Sequence, residues 1–306
     1  MTKRPQLGFI GAGVVGKALA MSLSRAGYVV VAVASRRISA AQDLAQAVAA
    51  QVLAGPQGVA DAADLVFITT PDGAIREVVN SVFWRPGQMV VHCSGADSAD
   101  ALADARVQGA EVGVLHPLQT FANDQRALEN LPGSYFAVEA EGRLRDVLFD
   151  IVDALQGKVI PMSAEHKALY HLSAVIASNY LVTLAAVASS LWEAFGIDQK
   201  EALDALLPLM RGTLHNIEHL GLPDGLTGPI ARGDVATVKK HLAALESGAP
   251  EYAGFYRELA QQTIPLALAK GALSEENVEA LRQLLMDRIT HQEFSPILAA
   301  AARRSI

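Results

Sequence analysis

The chain has 306 residues, of which 51% are hydrophobic and 19% charged, and its formal net charge is −7. This composition buries a substantial core and excludes intrinsic disorder. The charge is evenly divided, because residues 1–162 hold 13 Lys and Arg against 16 Asp and Glu, and residues 163–306 hold 12 against 16. Neither part has the basic surface that nucleic acid or an anionic membrane attracts, so the expected partner is a small molecule.

Cysteine usage and the first residues bear on the compartment. The one cysteine, Cys93, excludes an intramolecular disulfide and a cysteine-based zinc site. Residues 1–6 lead into an apolar segment without a secretory-signal pattern, which predicts a cytoplasmic protein. Residues 168–192 carry no charge and are long enough to span a bilayer. Because they contain several Ser, Thr and Asn residues and no basic flank, we interpret them as an enclosed helix outside any membrane.

Apolar segments alternate with helical patterns up to residue 162. Strands are predicted at 7–10, 28–34, 65–69, 89–93, 112–115, 135–138 and 158–161, and helices at 14–26, 39–50 and 144–155. The strand segments are continuously apolar, which is typical of parallel strands covered on both faces. Residues 1–162 are therefore predicted to form an α/β domain with a mostly parallel, doubly wound sheet.

Residues 163–306 follow a different pattern, in which Ala- and Leu-rich helical segments are broken at glycines. They are predicted to form an all-helical domain for substrate binding and dimerisation. Its first helix, residues 164–195, would be about 45 Å long at 1.5 Å per residue. Since so long a helix usually packs along a partner, we predict a homodimer built on this domain.

A glycine-rich segment lies between the first predicted strand and helix. It consists of Gly11, Ala12, Gly13, Val14, Val15 and Gly16. The first Gly permits a tight turn, the second lets a diphosphate approach the backbone, and the third allows close packing of helix on strand. Its place inside a strand–helix–strand unit predicts a Rossmann domain with a dinucleotide cofactor rather than an ordinary glycine-rich turn.

The end of the second strand indicates which dinucleotide binds. An Asp or Glu there would accept hydrogen bonds from the ribose hydroxyls of NAD(H), but the sequence has Ser35, Arg36 and Arg37. A hydroxyl and two guanidinium groups suit a 2′-phosphate, which predicts NADP(H). The alternative is two solvated surface arginines.

The residues after the fourth strand bear on the same cofactor. Thr70 and Pro71 are expected to place their backbone against it, since ligands of open parallel sheets lie beyond the C-terminal strand ends. Asp72 or Gly73 would cap the helix that begins there.

Polar residues follow the next two strands, at the edge where a nicotinamide ring would lie. Ser94 follows the fifth strand, and His116 follows the sixth in a loop that continues to Gln119, a candidate substrate contact. His116 would donate a proton or hydrogen bond to a carbonyl or imine, with Ser94 orienting it. Alternatively, His116 is a turn residue that precedes a proline. We interpret His92, inside its strand, as structural.

The predicted long helix carries a polar stripe. Lys167, His171 and Ser178 fall within about 40° on one face, with Asn179 at its margin. Such a stripe on an apolar helix requires partners or a solvated cleft. Lys167 and His171 are therefore catalytic candidates, and Ser178 and Asn179 are substrate-binding candidates. The alternative is a solvated Lys167 and an Asn179 satisfied in the core.

Two features of the helical domain leave alternatives open. Pro229 is predicted to start one helix and Asp234 to be the N-cap of the next. Arg232, between them, would either hold a substrate carboxylate or be an exposed surface residue, and exposure is slightly favoured. His215 and His219 are four residues apart. Because they lack the H-E-x-x-H pattern and a third ligand, we interpret them as surface residues and predict no metal site.

Several of these segments together resemble a known family. The chain is similar to bacterial proteins with Rossmann-like and DUF2520 domains, often described as NADP- or coenzyme F420-dependent oxidoreductases, in the 6-phosphogluconate dehydrogenase C-terminal-like superfamily. The resemblance covers nearly the whole chain and is carried by residues 11–16, 116–121, 167–171, 178–180 and 226–234. It implies a substrate cleft between two domains and a dimer.

Relatives in that superfamily imply roles for four residues. β-Hydroxyacid dehydrogenases have a Lys and, four residues later, an Asn on their long helix. Lys167 matches the Lys, whereas His171 stands at the Asn position. Prephenate and arogenate dehydrogenases place a His-Pro after the sixth strand and a Ser after the fifth, which match His116 and Ser94.

We therefore expect an NADP(H)-dependent oxidoreductase that moves hydride between nicotinamide and a small oxo acid, hydroxy acid or imine. Ser94, His116, and Lys167 or His171 would handle the proton. A ketopantoate-type reductase is a second enzyme hypothesis. A non-catalytic NADP(H)-binding regulatory or sensor protein is the third, since the polar groups form no unambiguous catalytic set.

Overall fold

The computed structural model describes residues 4–286. The chain divides into two compact units, Met1–Asn179 and Tyr180–Ile306. The division lies inside the helical segment that begins at Ala164, because the start of that segment packs with the sheet through Lys167. The boundary predicted at residue 162 from the change of pattern stays a prediction.

The first unit is built on a sheet that has eight strands within residues 4–286, in the order β3-β2-β1-β4-β5-β6-β7-β8. The strands are β1 (Leu7–Ile10), β2 (Val30–Ala34), β3 (Gln51–Val52), β4 (Leu65–Ile68), β5 (Met89–His92), β6 (Glu111–Leu118), β7 (Tyr135–Glu139) and β8 (Lys158–Pro161). Strands β1 to β6 are parallel, β7 runs antiparallel to β6, and β8 runs parallel to β7. The predicted doubly wound, mostly parallel sheet is confirmed.

Helices cover both faces of this sheet. They are α1 (Val14–Arg25), α2 (Ile38–Val48), α3 (Pro56–Ala62), α4 (Ile75–Asn80), α5 (Ala103–Val107), α6 (Asp124–Asn130) and α7 (Gly142–Ala154). Neighbouring residues of one strand enter different cores: Phe9 packs with Phe67 and helices α1, α2 and α7, whereas Ile10 joins the cluster of α3, α4 and α5. Because both faces are buried, the central strands β1, β2 and β4 are continuously apolar. Full burial of each large side chain contributes about 1.5–3 kcal/mol.

Strand β6 is longer than predicted. The prediction ended it at residue 115, with His116 in a loop, whereas the strand continues through Leu118. Its antiparallel partner β7 extends it, with His116 opposite Ala137 and Pro117 opposite Phe136. A proline at a strand's end indicates a loop when only the local sequence is considered. The two-residue strand β3 was also not predicted.

The second unit is helical. The first unit ends with a 3₁₀ turn (Ala164–His166), α8 (Lys167–Ala174) and a π-helical turn (Val175–Asn179). The second unit then contains α9 (Tyr180–Ser190), a 3₁₀ segment (Leu191–Phe195), α10 (Gln199–Leu220), α11 (Val235–Gly248), α12 (Ala253–Ala269) and α13 (Glu275–Met286). Its core joins α11, α12 and α13 through Val238, Ile264 and Leu281. Residues 163–286 contain no strand, which confirms the helix-rich prediction.

The uncharged stretch differs from its prediction as an enclosed helix. The helical run Ala164–Phe195 contains an 18-residue stretch with a mean hydropathy of 1.6. Only 11% of that stretch is buried. Within the described residues it is the one helix that is long and apolar enough to cross a membrane, which is weak support for a span, because core helices pass the same test. Leu169 and Val182 are each about 70% exposed. Within the described chain, most apolar residues of the run are therefore exposed or half-buried, with Val187 as a buried exception.

Candidate active site

The turn between β1 and α1 has the geometry that the glycine spacing predicts. The Gly11 amide donates to the Ala34 carbonyl at 2.8 Å, and Gly11 has a φ of +111°, a conformation that favours glycine. A Cβ at Gly11 would lie 2.7 Å from the Thr69 backbone, and one at Gly16 would lie 2.5 Å from Thr69 Oγ1. The first and third glycines therefore permit the close approach of strands β1 and β4 to the start of α1.

Gly13 differs from the other two glycines because it faces open space. A Cβ there would meet no described atom within 4 Å, and the residue is exposed. It is the N-cap of α1, where it has no side chain with which to cap the helix. The first amides of α1 are thus available to an anion, at the positive end of the helix dipole.

A polar atom lies at the neighbouring strand end. The Thr69 hydroxyl donates to the Gly11 carbonyl at 2.7 Å and holds the turn against β4. The next hydroxyl, Thr70 Oγ1, is buried and has no hydrogen-bond partner among the described residues. Buried polar groups are normally paired, so Thr70 and the open cradle at Gly13 both fit a bound dinucleotide.

The segment after β2 fits a phosphate group. Arg36 and Arg37 are exposed, Ser35 is half-buried, and Arg37 is the N-cap of α2. Within residues 4–286, neither guanidinium makes a hydrogen bond or ion pair. Both remain available to a ligand, as the NADP(H) prediction requires.

The loop after β5 is fixed by its own hydrogen bonds. Ser94 Oγ donates to Asp72 Oδ2 at 2.8 Å and accepts from the Asp97 amide at 3.0 Å. The Ser94 amide donates to His92 Nδ1 at 3.1 Å, and His92 Nε2 donates to the Ser98 carbonyl at 2.9 Å. His92 is therefore structural, and burial lowers its pKa. The predicted capping role of Asp72 is wrong, because its carboxylate binds Ser94 instead.

Lys167 is buried beneath this loop. Its side chain is 1% exposed, and Nζ donates to the Ser94 carbonyl at 2.8 Å. Burial lowers the pKa of Lys167, although the nearby Glu139 carboxylate opposes the shift. Glu139 Oε1 accepts from the Ala99 amide, while Oε2 has no partner among the described residues. The alternative of a solvated Lys167 is excluded by this burial.

His116 and the start of α8 form a second cluster. His116 Nδ1 and the Tyr170 hydroxyl share a hydrogen bond of 2.7 Å, and the His116 and His171 ring centroids are 6.4 Å apart. Burial, reinforced by the charge of Lys167, lowers the pKa of His116 to about 4, and burial raises the pKa of Tyr170 to about 12. Both groups are therefore neutral near pH 7.

Gly95 separates the two imidazoles. A Cβ on Gly95 would lie 2.5 Å from His171 Cδ2 and 2.8 Å from His116 Nε2. A larger residue would push one ring away, so glycine is required for this arrangement. The carbonyl of Ser94, just before it, is the atom that Lys167 holds. The lysine thus positions the backbone against which both histidines pack.

Four other predicted residues make no contact in the described part of the chain that assigns them a role in this cluster. Gln119 is engaged locally, because its Nε2 donates to the Asn130 carbonyl at 3.2 Å and its Oε1 accepts from the Thr120 amide. Ser178 and Asn179 are exposed in the π-helical turn, which breaks the 100° steps on which their shared face was predicted. Arg232 is exposed in the second unit. The roles of all four stay predictions.

The start of α11 differs in part from its prediction. Asp234 accepts from the Thr237 amide at 3.0 Å, which confirms the predicted N-cap. The helix start predicted at Pro229 is wrong: residues 228–233 form turns, in which the Asp234 amide donates to the Pro229 carbonyl.

Tyr170 was missed by sequence reasoning. It lies three residues after Lys167, on the same helix face. A search that included tyrosine hydroxyls beside the Lys and His candidates could have found it.

Known domain families match both parts of the chain. Residues 1–117 match a Rossmann-like domain, and residues 134–263 match DUF2520, a domain of unknown function. The predicted resemblance is thereby confirmed. No curated protein matches the chain at a significant level.

Solved structures share the fold. A Bacteroides fragilis protein, provisionally assigned as an NADP oxidoreductase, is 26% identical over 85% of this chain and 98% of its own, with a TM-score of 0.69. Protein TM1727 of Thermotoga maritima is 26% identical over 91% and 98%, with a TM-score of 0.63. A reductive aminase of Aspergillus terreus in complex with NADPH and ethyl levulinate is 15% identical over 92% and 99%, with a TM-score of 0.63. At that identity the aminase shows the fold alone.

Proposed function

This chain combines a Rossmann-like domain with a DUF2520 domain, and we propose that it is an NADP(H)-dependent oxidoreductase acting on a small oxo acid, hydroxy acid or imine. The observation that carries the proposal is the cluster of His116, Tyr170 and His171. It stands at the sheet edge where β1, β4 and β5 end and where the open cradle at Gly13 lies. Ligands of doubly wound sheets bind at this edge.

The cofactor, when bound, exchanges hydride with the substrate carbon. The turn from Gly11 to Gly16 would hold its diphosphate through the backbone amides that follow Gly11, because the Gly11 amide already bonds the Ala34 carbonyl. Ser35, Arg36 and Arg37 would hold the 2′-phosphate. The backbone of Thr70 and Pro71 would lie alongside, with the unpaired Thr70 hydroxyl as a further hydrogen-bonding group.

His116 would act on the substrate oxygen or nitrogen as a neutral imidazole. If the Tyr170 hydroxyl donates to Nδ1, the ring proton resides on Nε2, which can then donate to the substrate. The low pKa of His116 keeps the ring uncharged, so that it polarises a carbonyl or imine by a hydrogen bond. In the reverse direction the other neutral tautomer would act: Nδ1 carries the hydrogen and donates to the Tyr170 oxygen, and Nε2 accepts the substrate proton with its lone pair.

Lys167 and His171 would have supporting roles. Lys167 holds the Ser94 carbonyl, and its nearby charge disfavours protonation of His116. His171 packs beside His116 across Gly95 and would exchange protons with the substrate side of the cluster. Ser94 would position rather than react, because its hydroxyl proton already bonds Asp72.

Imines belong in the substrate panel. One structural neighbour is a reductive aminase whose structure holds NADPH and a keto ester. A neutral His116 donor suits both a carbonyl oxygen and an imine nitrogen, so the chemistry of the cluster is compatible with either.

The test is NADPH and NADH titration by calorimetry, followed by NADPH oxidation with oxo acids, ketone–amine pairs and cyclic imines. We expect NADPH to bind more tightly and one substrate class to be reduced, with His116→Ala reducing turnover by about 100-fold or more. If NADPH binds, nothing on the panel turns over and His116→Ala changes no ligand's affinity, the protein is a regulatory NADP(H)-binding protein instead.

We further propose that the protein is a homodimer. Large apolar side chains of α9 and α10 are exposed, among them Val182 (70%), Leu209 (67%) and Leu220 (58%). Large exposed apolar side chains on two successive helices favour an interface, and a second copy is the commonest occupant. Light scattering should give twice the chain mass, and Leu209→Asp with Leu220→Asp should give a monomer.

A further inference from the structure

A group of ligating side chains lies on α10, outside the cluster around His116. The group contains His215, Glu218 and His219, whose ligand atoms all lie within 4.8 Å of one another. All three side chains are exposed. The two imidazole rings lie close together, with centroids 3.9 Å apart.

Helix geometry brings these three residues together. Residues three and four positions apart lie on one face of an α-helix, and α10 is helical throughout this region. Two histidines at i and i+4 present their ring nitrogens to a common point, which is the way that helical metal motifs hold zinc. Because the side chains are exposed, small rotamer changes can bring their ligand atoms to the spacing that a cation requires.

The tautomer of His219 favours ligation. His219 Nδ1 lies 2.9 Å from the His215 carbonyl. A carbonyl only accepts, so Nδ1 carries the proton and Nε2 keeps its lone pair. Ligating histidines typically donate their other ring N–H to a backbone carbonyl in this way, which fixes the ring and makes the free nitrogen more basic.

We propose that His215, Glu218 and His219 form a binding site for a divalent transition cation, with zinc as the favoured ion. Two imidazole nitrogens and one carboxylate suit zinc, copper and nickel, whereas magnesium and calcium require mostly oxygen ligands. Three protein ligands leave one position of a tetrahedral site to water.

The prediction of no metal site was based on the lack of a third ligand in the expected pattern, and Glu218 is a candidate for that ligand. It looked for a glutamate directly after the first histidine, whereas Glu218 directly precedes the second. The sequence H-x-x-E-H places the same three side chains on one helix face.

The site is independent of the proposed NADP(H) function. It belongs to the second unit, whereas His116 and the dinucleotide turn belong to the first. At 100° per residue it also lies on the other side of α10 from the exposed Ile217 and Leu220. A second copy covering those two residues would leave the cation site open.

The experiment uses full-length protein without an affinity tag, titrated with Zn²⁺ by calorimetry and with Co²⁺ by visible absorption. We expect one ion to bind per chain. The bound Co²⁺ should give a d–d absorption spectrum that is typical of a low coordination number. His215→Ala and His219→Ala should each weaken binding by at least about tenfold, and Glu218→Gln by less, with no saturable Mg²⁺ binding.

The matched control is His241→Ala, which removes an exposed histidine of α11 that bonds Tyr256. It should leave Zn²⁺ affinity unchanged. The triple variant His215→Ala, Glu218→Gln, His219→Ala should lose Zn²⁺ binding and keep NADPH affinity. Absence of saturable Zn²⁺ binding to the unmodified chain, or equal affinity in the triple variant, would overturn the proposal without touching the proposed oxidoreductase function.

Discussion

The dinucleotide turn and the His116 cluster stand at the same edge of one sheet, yet they are constructed differently. The turn consists of one short segment, and its chemistry resides in backbone amides and in glycines that permit close approach. The His116 cluster draws side chains from β6 and α8, and they pack against the backbone of the loop after β5. One is a local motif, whereas the other exists only after the chain has folded.

The two regions also differ in how their polar groups are satisfied. In the turn, Thr70 Oγ1 has no partner among the described residues, and Arg36 and Arg37 make no described ion pair. In the cluster, His116 bonds Tyr170, and the Ser94 backbone beneath it bonds both His92 and Lys167. Glu139 Oε2, near Lys167, is the buried oxygen there without a described partner. The turn therefore depends on a ligand for its polar contacts, whereas the cluster is preorganised without one.

The largest expected effect separates binding from folding within the turn. Gly13→Val should weaken NADPH binding by about 100-fold or more, because the side chain would occupy the open space where a diphosphate approaches. The melting temperature should change little, since no described atom is within 4 Å of the added Cβ. Calorimetry and thermal unfolding measure the two effects. Gly254→Val, at an exposed position of α12, is the control. Equal NADPH affinity in the two variants would contradict the assignment of the turn.

The next effect tests the cluster. Tyr170→Phe removes the hydroxyl that bonds His116 Nδ1, so the ring proton is no longer held on Nε2. We expect kcat to fall by about 10- to 100-fold with NADPH affinity unchanged. Tyr135→Phe, in β7, is the matched control. If kcat stayed at the wild-type value, Tyr170 would have no positioning role.

A smaller effect concerns cofactor choice. Arg36→Asp combined with Arg37→Ala removes two cationic donors and supplies a carboxylate for ribose hydroxyls. Charge-assisted hydrogen bonds contribute about 1.5–3 kcal/mol each, so NADPH affinity should fall by about tenfold or more and NADH should become the preferred cofactor. Parallel titrations with both cofactors measure this. Unchanged binding of both would show that the arginines are solvated surface residues.

The same contrast explains what the sequence predicts well. Continuous apolar runs and glycine spacing are local signals, so the sheet, the helices and the turn at Gly11 to Gly16 can be identified from the amino-acid sequence alone. The sequence also identifies His116 and Lys167 as candidates. It does not reveal the Tyr170 contact or the burial of Lys167, because both depend on packing between segments far apart in the chain.

Two errors have a common physical origin. The strand β6 was ended before His116 because its extension depends on pairing with β7, which no local pattern encodes. The shared face of Lys167 and Ser178 assumes an uninterrupted α-helix, and the π-helical turn at Val175–Asn179 shifts the phase. In both cases a locally regular pattern did not reveal where the regular element continues or changes its geometry.

The smallest expected effect is the pH dependence that the cluster imposes on stability. The pKa of His116 is lowered by burial to about 4 in the folded chain, whereas in the unfolded chain it has the ordinary value near 6.5. Between these pH values His116 is protonated in the unfolded chain and neutral in the folded chain. The free energy of unfolding should therefore fall by about 1–3 kcal/mol as the pH decreases from 6.5 to 4. His116→Gln should remove this part of the dependence. The contribution of His92, which acts in the same direction, is present in both proteins and cancels in the difference.

Urea unfolding at several pH values, followed by Trp84 fluorescence in a Trp192→Phe background, reports on the first unit alone. Equal pH dependence in the two proteins would mean that His116 is solvated and ionises normally, and the neutral hydrogen-bond donor would lose its basis.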